Sequence, residues 1–204
     1  MSTQKSFPAL VKSMSSAPVV LSLGLLLLLL GTRSNFVAQH LHFAPWLRAP
    51  DATLAVFFLA GFWIPSVPLA AVLLGAAALA DQIAFVNGVS DWCVTAAYAC
   101  LIPAYLTMWF AGRYYRGVNF MSPSGLANLA ATLIIACAIE FVISSGSFFL
   151  FSGYFPDMSA AEYSSKVIKY YPSYLGWAAV YIVAGFAIVS AIHPLRNYAY
   201  KAAP

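Results

Sequence analysis

The stretch LAVFFLAGFWIPSVPLAAVLLGAAALA, residues 54–80, decides the fold. It carries no charge, and Pro65 and Pro68 divide it into Leu54–Ile64 and Leu69–Ala80. Each half is short against the roughly 20 residues that a helix needs to cross a bilayer core. A proline inside a helix breaks or kinks it. The stretch therefore reads as a tight helical hairpin or as one long kinked helix. The hairpin gives the chain six spans, and the kinked helix gives it five.

The rest of the chain has the same character. Of 204 residues, 62% are hydrophobic and only 8% charged, and the mean hydropathy is +0.83. A soluble domain is about 45–50% apolar and about 25% charged. Ten basic and six acidic residues are too few to solvate a water-soluble surface of this size. A soluble enzyme, a nucleic-acid binder and a disordered tail are excluded. The expected class is an all-α integral membrane protein, a single transmembrane domain over 1–204. The net charge of +4 bears on orientation and not on nucleic acid.

Outward from 54–80, the apolar segments are Pro18–Gly31, Cys93–Ala111 with Pro103 in its middle, Leu126–Phe151, and Gly176–Ile192. A polar segment, 1–16, precedes the first. That first segment has a basic flank and a leucine run, like a secretory signal. No small-x-small cleavage site follows, and it reads as a retained helix. With six spans, one side of the membrane holds Lys5, Lys12, Arg113, Arg116, Arg196 and Lys201 and no acid. The other side holds Arg33, Arg48, Lys166 and Lys169 against Asp51, Asp81, Asp91, Asp157 and Glu162. Five spans would scatter the acids. The positive-inside rule then sets six spans with both termini cytoplasmic. The external connections are 32–53, 81–92 and 152–172; they are the longer ones, and the architecture opens outward.

The chain has no Gly-Lys pair and so no phosphate-binding loop; it has no ATP site of its own. Ser145-Gly146 invites comparison with an intramembrane serine protease, which needs a base beside the hydroxyl. The only candidate, His193, falls at the opposite end of its span, and small residues there read as helix-packing positions. Glu140 is the one charge well inside a span. Such residues are costly and face a cavity or a partner. Glu140, Ser144 and Ser147 recur at i, i+4 and i+7 and form one polar stripe. It is the wall of a ligand cavity, an ion-coupling site, or a structural clamp to another helix.

Three cysteines cannot all pair within one chain. Cys93 and Cys100 are separated by about 10 Å of helix, beyond disulfide reach, and Cys137 lies deep in an apolar segment. Cys93 follows Ser90-Asp91, a helix-cap pattern. It is expected in the first helical turn at the external surface, where the helix dipole favours thiolate and Asp91 opposes it. It reads either as a soft metal ligand or as a small apolar residue. His40 and His42 have no third ligand and read as ordinary connection residues. Tyr98 and Tyr105, at i and i+7, share a helix face suited to flanking a planar ligand. Tyr163, Tyr170, Tyr171 and Tyr174 belong in part to an interfacial aromatic belt.

Three runs carry a resemblance. They are Pro50-Asp51-Ala52 leading into Ala55–Phe62; Cys93-Val94-Thr95-Ala96-Ala97-Tyr98 continuing to Pro103-Ala104-Tyr105; and Ser144–Phe148 with Phe151-Ser152-Gly153, Glu162-Tyr163 and Tyr171-Pro172. Over residues 50 to 175 the chain resembles the BtuM family of small bacterial cobalamin transporters, solitary relatives of the substrate-binding S-components of energy-coupling-factor transporters. The resemblance implies an S-component-like six-helix bundle in the bacterial cytoplasmic (inner) membrane with an outward-facing vitamin cavity. It implies that Cys93 ligates the cobalt of cobalamin, with the lower base detached, and assists loss of an upper cyanide. It implies that Asp81 and Tyr98 line the cavity. The small-residue helix motif that docks a coupling module is absent from the first helix, and Ala76 and Ala80 are a weak substitute; a coupling module is not required.

The expected function is therefore uptake of cobalamin or a related corrinoid, with membrane lipid as the other partner. Cys93 is the metal ligand and the reactive residue. The ligand-contacting candidates are Asp81, Tyr98, Tyr105, Glu140, Ser144, Ser147 and Tyr163. The rival readings are an S-component for another vitamin, a membrane enzyme that uses Glu140, and a structural subunit of a larger complex.

Overall fold

The computed structural model of the chain describes residues 7–33, 50–88, 90–92, 94–118 and 122–191, with side chains from residue 17. Among these residues the chain is built from seven α-helices joined by turns. They are α1 (Phe7–Arg33), α2 (Thr53–Trp63), α3 (Val67–Val86), α4 (Leu101–Tyr115), α5 (Pro123–Phe151), α6 (Ala160–Val167) and α7 (Tyr171–Ala191). A 3₁₀ turn, Ala96–Cys100, leads into α4, and another, Ile168–Tyr170, leads into α7.

The proline-divided stretch is a hairpin. α2 ends at Trp63, residues 64–66 are irregular, and α3 starts at Val67 with Pro68 in its first turn, where a missing N–H costs nothing. The two helices run antiparallel, because Arg33 at the end of α1 reaches both Asp51 before α2 and Asp81 far along α3. Every residue of α2 is buried. At about 1.5 Å per residue, this 11-residue helix is too short to cross a bilayer core alone. It is the axis of the bundle, packed by α1, α3, α4 and α7.

The surrounding helices are apolar on their outer faces as well. Val72, Leu79 and Ile83 of α3, Ile135, Val142 and Leu150 of α5, and Val180, Val183 and Ile188 of α7 are all exposed. Helices that are hydrophobic all round belong in a membrane. Three helical segments are long and apolar enough to span one: Val67–Val86, Pro123–Phe151 and Ala160–Ala191. The chain is a helical membrane protein.

α2 and α4 run parallel in the closest contact of the fold. Gly61 faces the backbone carbonyl of Trp109, and Gly112 faces the backbone carbonyl of Phe58. A Cβ at either position would collide with main chain that cannot move. Aromatic rings close the seam on both sides of this crossing: Phe57 stacks on Tyr105 at 5.3 Å, and Phe58 and Phe62 lie against Tyr115. The fully buried Tyr115 donates its hydroxyl hydrogen to the Gly125 carbonyl at 2.9 Å and so fixes α5 to the end of α4. On the opposite flank Gly185 of α7 sits against Leu59 and Trp63.

Several boundaries differ from the sequence expectation. α3 continues through Asp81 to Val86, because the Asp81 carboxylate finds partners within the bundle and the helix has no reason to stop there. It ends at the expected Asn87-Gly88 turn, with Gly88 at a φ of +86. The helical turn after this connection is capped by Thr95, whose hydroxyl accepts from the Ala97 N–H; Ser90-Asp91 is not its cap. The last helix begins at Tyr171, five residues before Gly176, and α6 occupies part of the 152–172 connection. Ala80 is buried inside the bundle and offers no docking surface.

The glycine crossing yields a direct test. Gly61→Ala and Gly112→Ala are each expected to cost about 2 kcal/mol through overpacking, read as a lowered unfolding midpoint in detergent. Gly75→Ala in α3, where a Cβ meets open space, is expected to be neutral or to stabilise by up to about 1 kcal/mol.

Candidate functional site

The chemistry gathers at the end of the bundle where α1 stops and α2 starts. Arg33 closes α1, a position where a cation meets the negative end of the helix dipole. Its Nε and Nη2 donate to the two oxygens of Asp81 at 2.7 and 2.8 Å, a bidentate pair. Its Nη1 donates to Asp51 at 3.2 Å and to the Thr53 hydroxyl at 3.1 Å. Asp81 also accepts from the Tyr98 hydroxyl at 2.6 Å. One guanidinium thus joins α1, α2 and α3, and one carboxylate joins α3 to the 3₁₀ turn. Thr32 adds a second tie, since its hydroxyl accepts from the Ala52 N–H. The side chains of Arg33 and Asp81 are only 11% and 15% exposed, whereas that of Asp51 is half-exposed. Charge-assisted bidentate pairs of this kind are strong and directional.

Tyr105 stands beside this cluster. The Arg33 guanidinium lies 5.4 Å from its ring centroid, within cation–π range, and Phe57 stacks on the ring. Tyr105 and Leu101 form a partition between two cavities. One, of about 270 Å³, is bordered by Arg33, Tyr98 and the α3 residues Leu74, Gly75, Ala77 and Ala78. The other, of about 280 Å³, lies among the starts of α2, α4 and α7 and the middle of α5. Its walls include Asp51, Thr53, Glu140, Ser144, Tyr174 and Trp177.

Glu140 is 1% exposed. Its Oε2 has no hydrogen-bond partner, and among the described residues no cation pairs with it. Among the described residues no hydrogen bond or ion pair runs from Glu140 to another helix. The stripe also divides. Ser144 borders the cavity with Glu140, while buried Ser147 turns back to donate to the Ser144 carbonyl at 3.0 Å. Gly146 packs against nothing within 4 Å, so close helix contact belongs to Gly61 and Gly112 and not to the serine-glycine cluster.

The aromatic residues of the 152–172 connection hold one another. Trp92 stacks on Tyr154 at 4.6 Å and meets Phe148 edge-on. Phe149, Phe155 and Tyr163 continue the cluster. Tyr163 therefore belongs to an aromatic cap on the end of α5 and does not reach either cavity. Tyr98 and Tyr105, placed on one face from the sequence, both border the cavity of about 270 Å³. Cys93, His40, His42 and His193 lie outside the described residues. Of the other cysteines, Cys100 is half-buried, and buried Cys137 lies 3.9 Å from the sulfur of Met108.

Sequence reasoning missed the part played by Arg33, Asp51 and Thr53. The signal was present: Arg33, Asp51 and Asp81 all flank apolar segments on one side of the charge map, and opposite charges near a membrane boundary seek one another. No protein-family model matches the chain, and no curated sequence matches it.

Removing one partner from a buried ion pair strands the other. Arg33→Ala is expected to cost about 3 kcal/mol, seen as a fall in the unfolding midpoint. Lys166→Ala, which breaks the exposed Lys166–Glu162 pair, is expected to cost under about 0.5 kcal/mol. Equal effects would show that the cluster carries no structural weight.

Proposed function

We propose that the protein takes up cobalamin or a related corrinoid across the bacterial cytoplasmic membrane, as a six-span bundle of the S-component type with both termini inside. The observation that carries this reading is the Asp81–Tyr98 hydrogen bond at 2.6 Å beneath Arg33. These two residues are ones that the resemblance assigns to a vitamin cavity, and they meet although 17 positions apart. Tyr105, the other candidate on that face, completes the wall.

The site fits the start of a transport cycle. Each cavity is near the lower end of the roughly 300–1,000 Å³ typical of small-molecule sites. A macrocycle needs more room, so ligand entry requires the bundle to part. The rigid seam is α2–α4, held by the glycine crossing. The parts joined to it by side chains alone are the Arg33–Asp81 tie and the aromatic cap. Opening at that end would widen access to Tyr98 and Tyr105. The cobalt is cargo in this scheme, and Cys93 is its ligand: a deprotonated thiol is a soft donor suited to it. The chain carries no phosphate-binding loop, so uptake is either passive or driven by a partner's motor.

The test is optical. Protein purified with cobalamin should carry a visible absorption band shifted from that of the free vitamin. Cys93→Ser should remove the shift and weaken binding, and Tyr98→Phe should weaken binding while leaving the shift. A colourless protein, or a band indifferent to Cys93→Ser, contradicts the reading.

A further inference from the structure

Glu140, one of the ligand-contacting candidates from the sequence, lies away from the cavity that Tyr98 borders. Glu140 is the most deeply buried carboxylate of the described helices, with one oxygen that has no hydrogen-bond partner. It forms part of the wall of the cavity of about 280 Å³. A buried carboxylate without a partner is among the costliest features a membrane helix can hold. Such a group marks a site whose partner comes and goes.

Charge, shape and lining agree on what that partner is. Around Tyr105, three carboxylates, Asp51, Asp81 and Glu140, stand against one guanidinium. Arg33 is already committed to Asp81 and Asp51, so among the described residues no cation is left for Glu140. The missing partner is a cation. The cavity is much larger than a bare metal ion needs and suits a small organic molecule. Tyr105, Tyr174 and Trp177 contribute aromatic surface to it, and aromatic rings with a carboxylate form the recognition set for an alkylated ammonium. Ser144, one turn from Glu140, adds a hydroxyl that can accept from an N–H or O–H donor.

We propose that this cavity is a binding site for a small organic ammonium cation, with Glu140 as its counter-ion and Tyr105, Tyr174 and Trp177 as its aromatic wall. The site is separate from the face bordered by Asp81 and Tyr98 and does not rest on the corrinoid reading. Tyr105 lies between the two, so an occupant on one side bears on the shape of the other.

Choline serves as the probe. Its titration into the purified full chain should give a saturable change in intrinsic tryptophan fluorescence, because Trp177 borders the cavity. Dimethylbutanol, the neutral carbon isostere of choline, should give none. Glu140→Gln, which keeps the shape and removes the charge, should weaken choline binding at least about tenfold by calorimetry. Equal binding of choline and its isostere by the native protein overturns the proposal without reliance on any variant. So does displacement of choline by equimolar sodium, which would mark a site for an inorganic cation. Failure of cobalamin to bind, with choline binding intact, would strike the transport reading and leave this site standing.

Discussion

The fold depends on how closely α2 and α4 approach. Two glycines, Gly61 and Gly112, each meet a carbonyl of the opposite helix. Membrane helices gain little from expelling lipid and rely instead on close packing, which small residues at the contact permit. Here the contact lets a fully buried 11-residue helix serve as the core of the bundle. The aromatic pairs of Phe57, Phe58 and Phe62 with Tyr105 and Tyr115 flank the crossing and fix its rotation. The positions of Tyr105 and Leu101, and so of both cavities, follow from it.

At one end of this core the helices are joined by a different kind of bond. Arg33, Asp51, Thr53, Asp81 and Tyr98 tie three helices and a turn through side chains alone. A close glycine contact is effectively permanent, while a hydrogen-bonded ion pair can be exchanged for ligand or water. The protein therefore has a rigid seam and an exchangeable tie next to its cavities. That pairing is what a carrier needs, since one end must hold shape while the other opens.

Much of this was legible in the sequence, for physical reasons. The apolar segments are long enough to be read from composition, and the Pro65–Pro68 break appears as the α2–α3 hairpin. The even apolarity of 53–63 gave no warning that this helix is buried on every side, because a lipid-facing helix has the same composition. Asp81 misled the boundary of α3: a charge at the end of an apolar run reads as a membrane edge, yet here its partners lie inside the bundle. Glu140 was legible as an oddity from its rarity alone. Its lack of a partner was not, since that depends on the cavity that α2, α4 and α7 form around it. Tyr163 reads from the sequence as ligand-contacting, whereas its ring packs on Phe149 and Phe155 in the aromatic cap.

The central claim is transport, and a flux measurement reaches it most directly. Sealed lipid vesicles containing the purified chain, with a trapping protein for cobalamin inside and no nucleotide on either side, should accumulate labelled cobalamin over time. Vesicles containing Cys93→Ser should do so far more slowly, and vesicles without protein not at all. Accumulation no faster than in empty vesicles, with the native protein folded and inserted, would contradict the account.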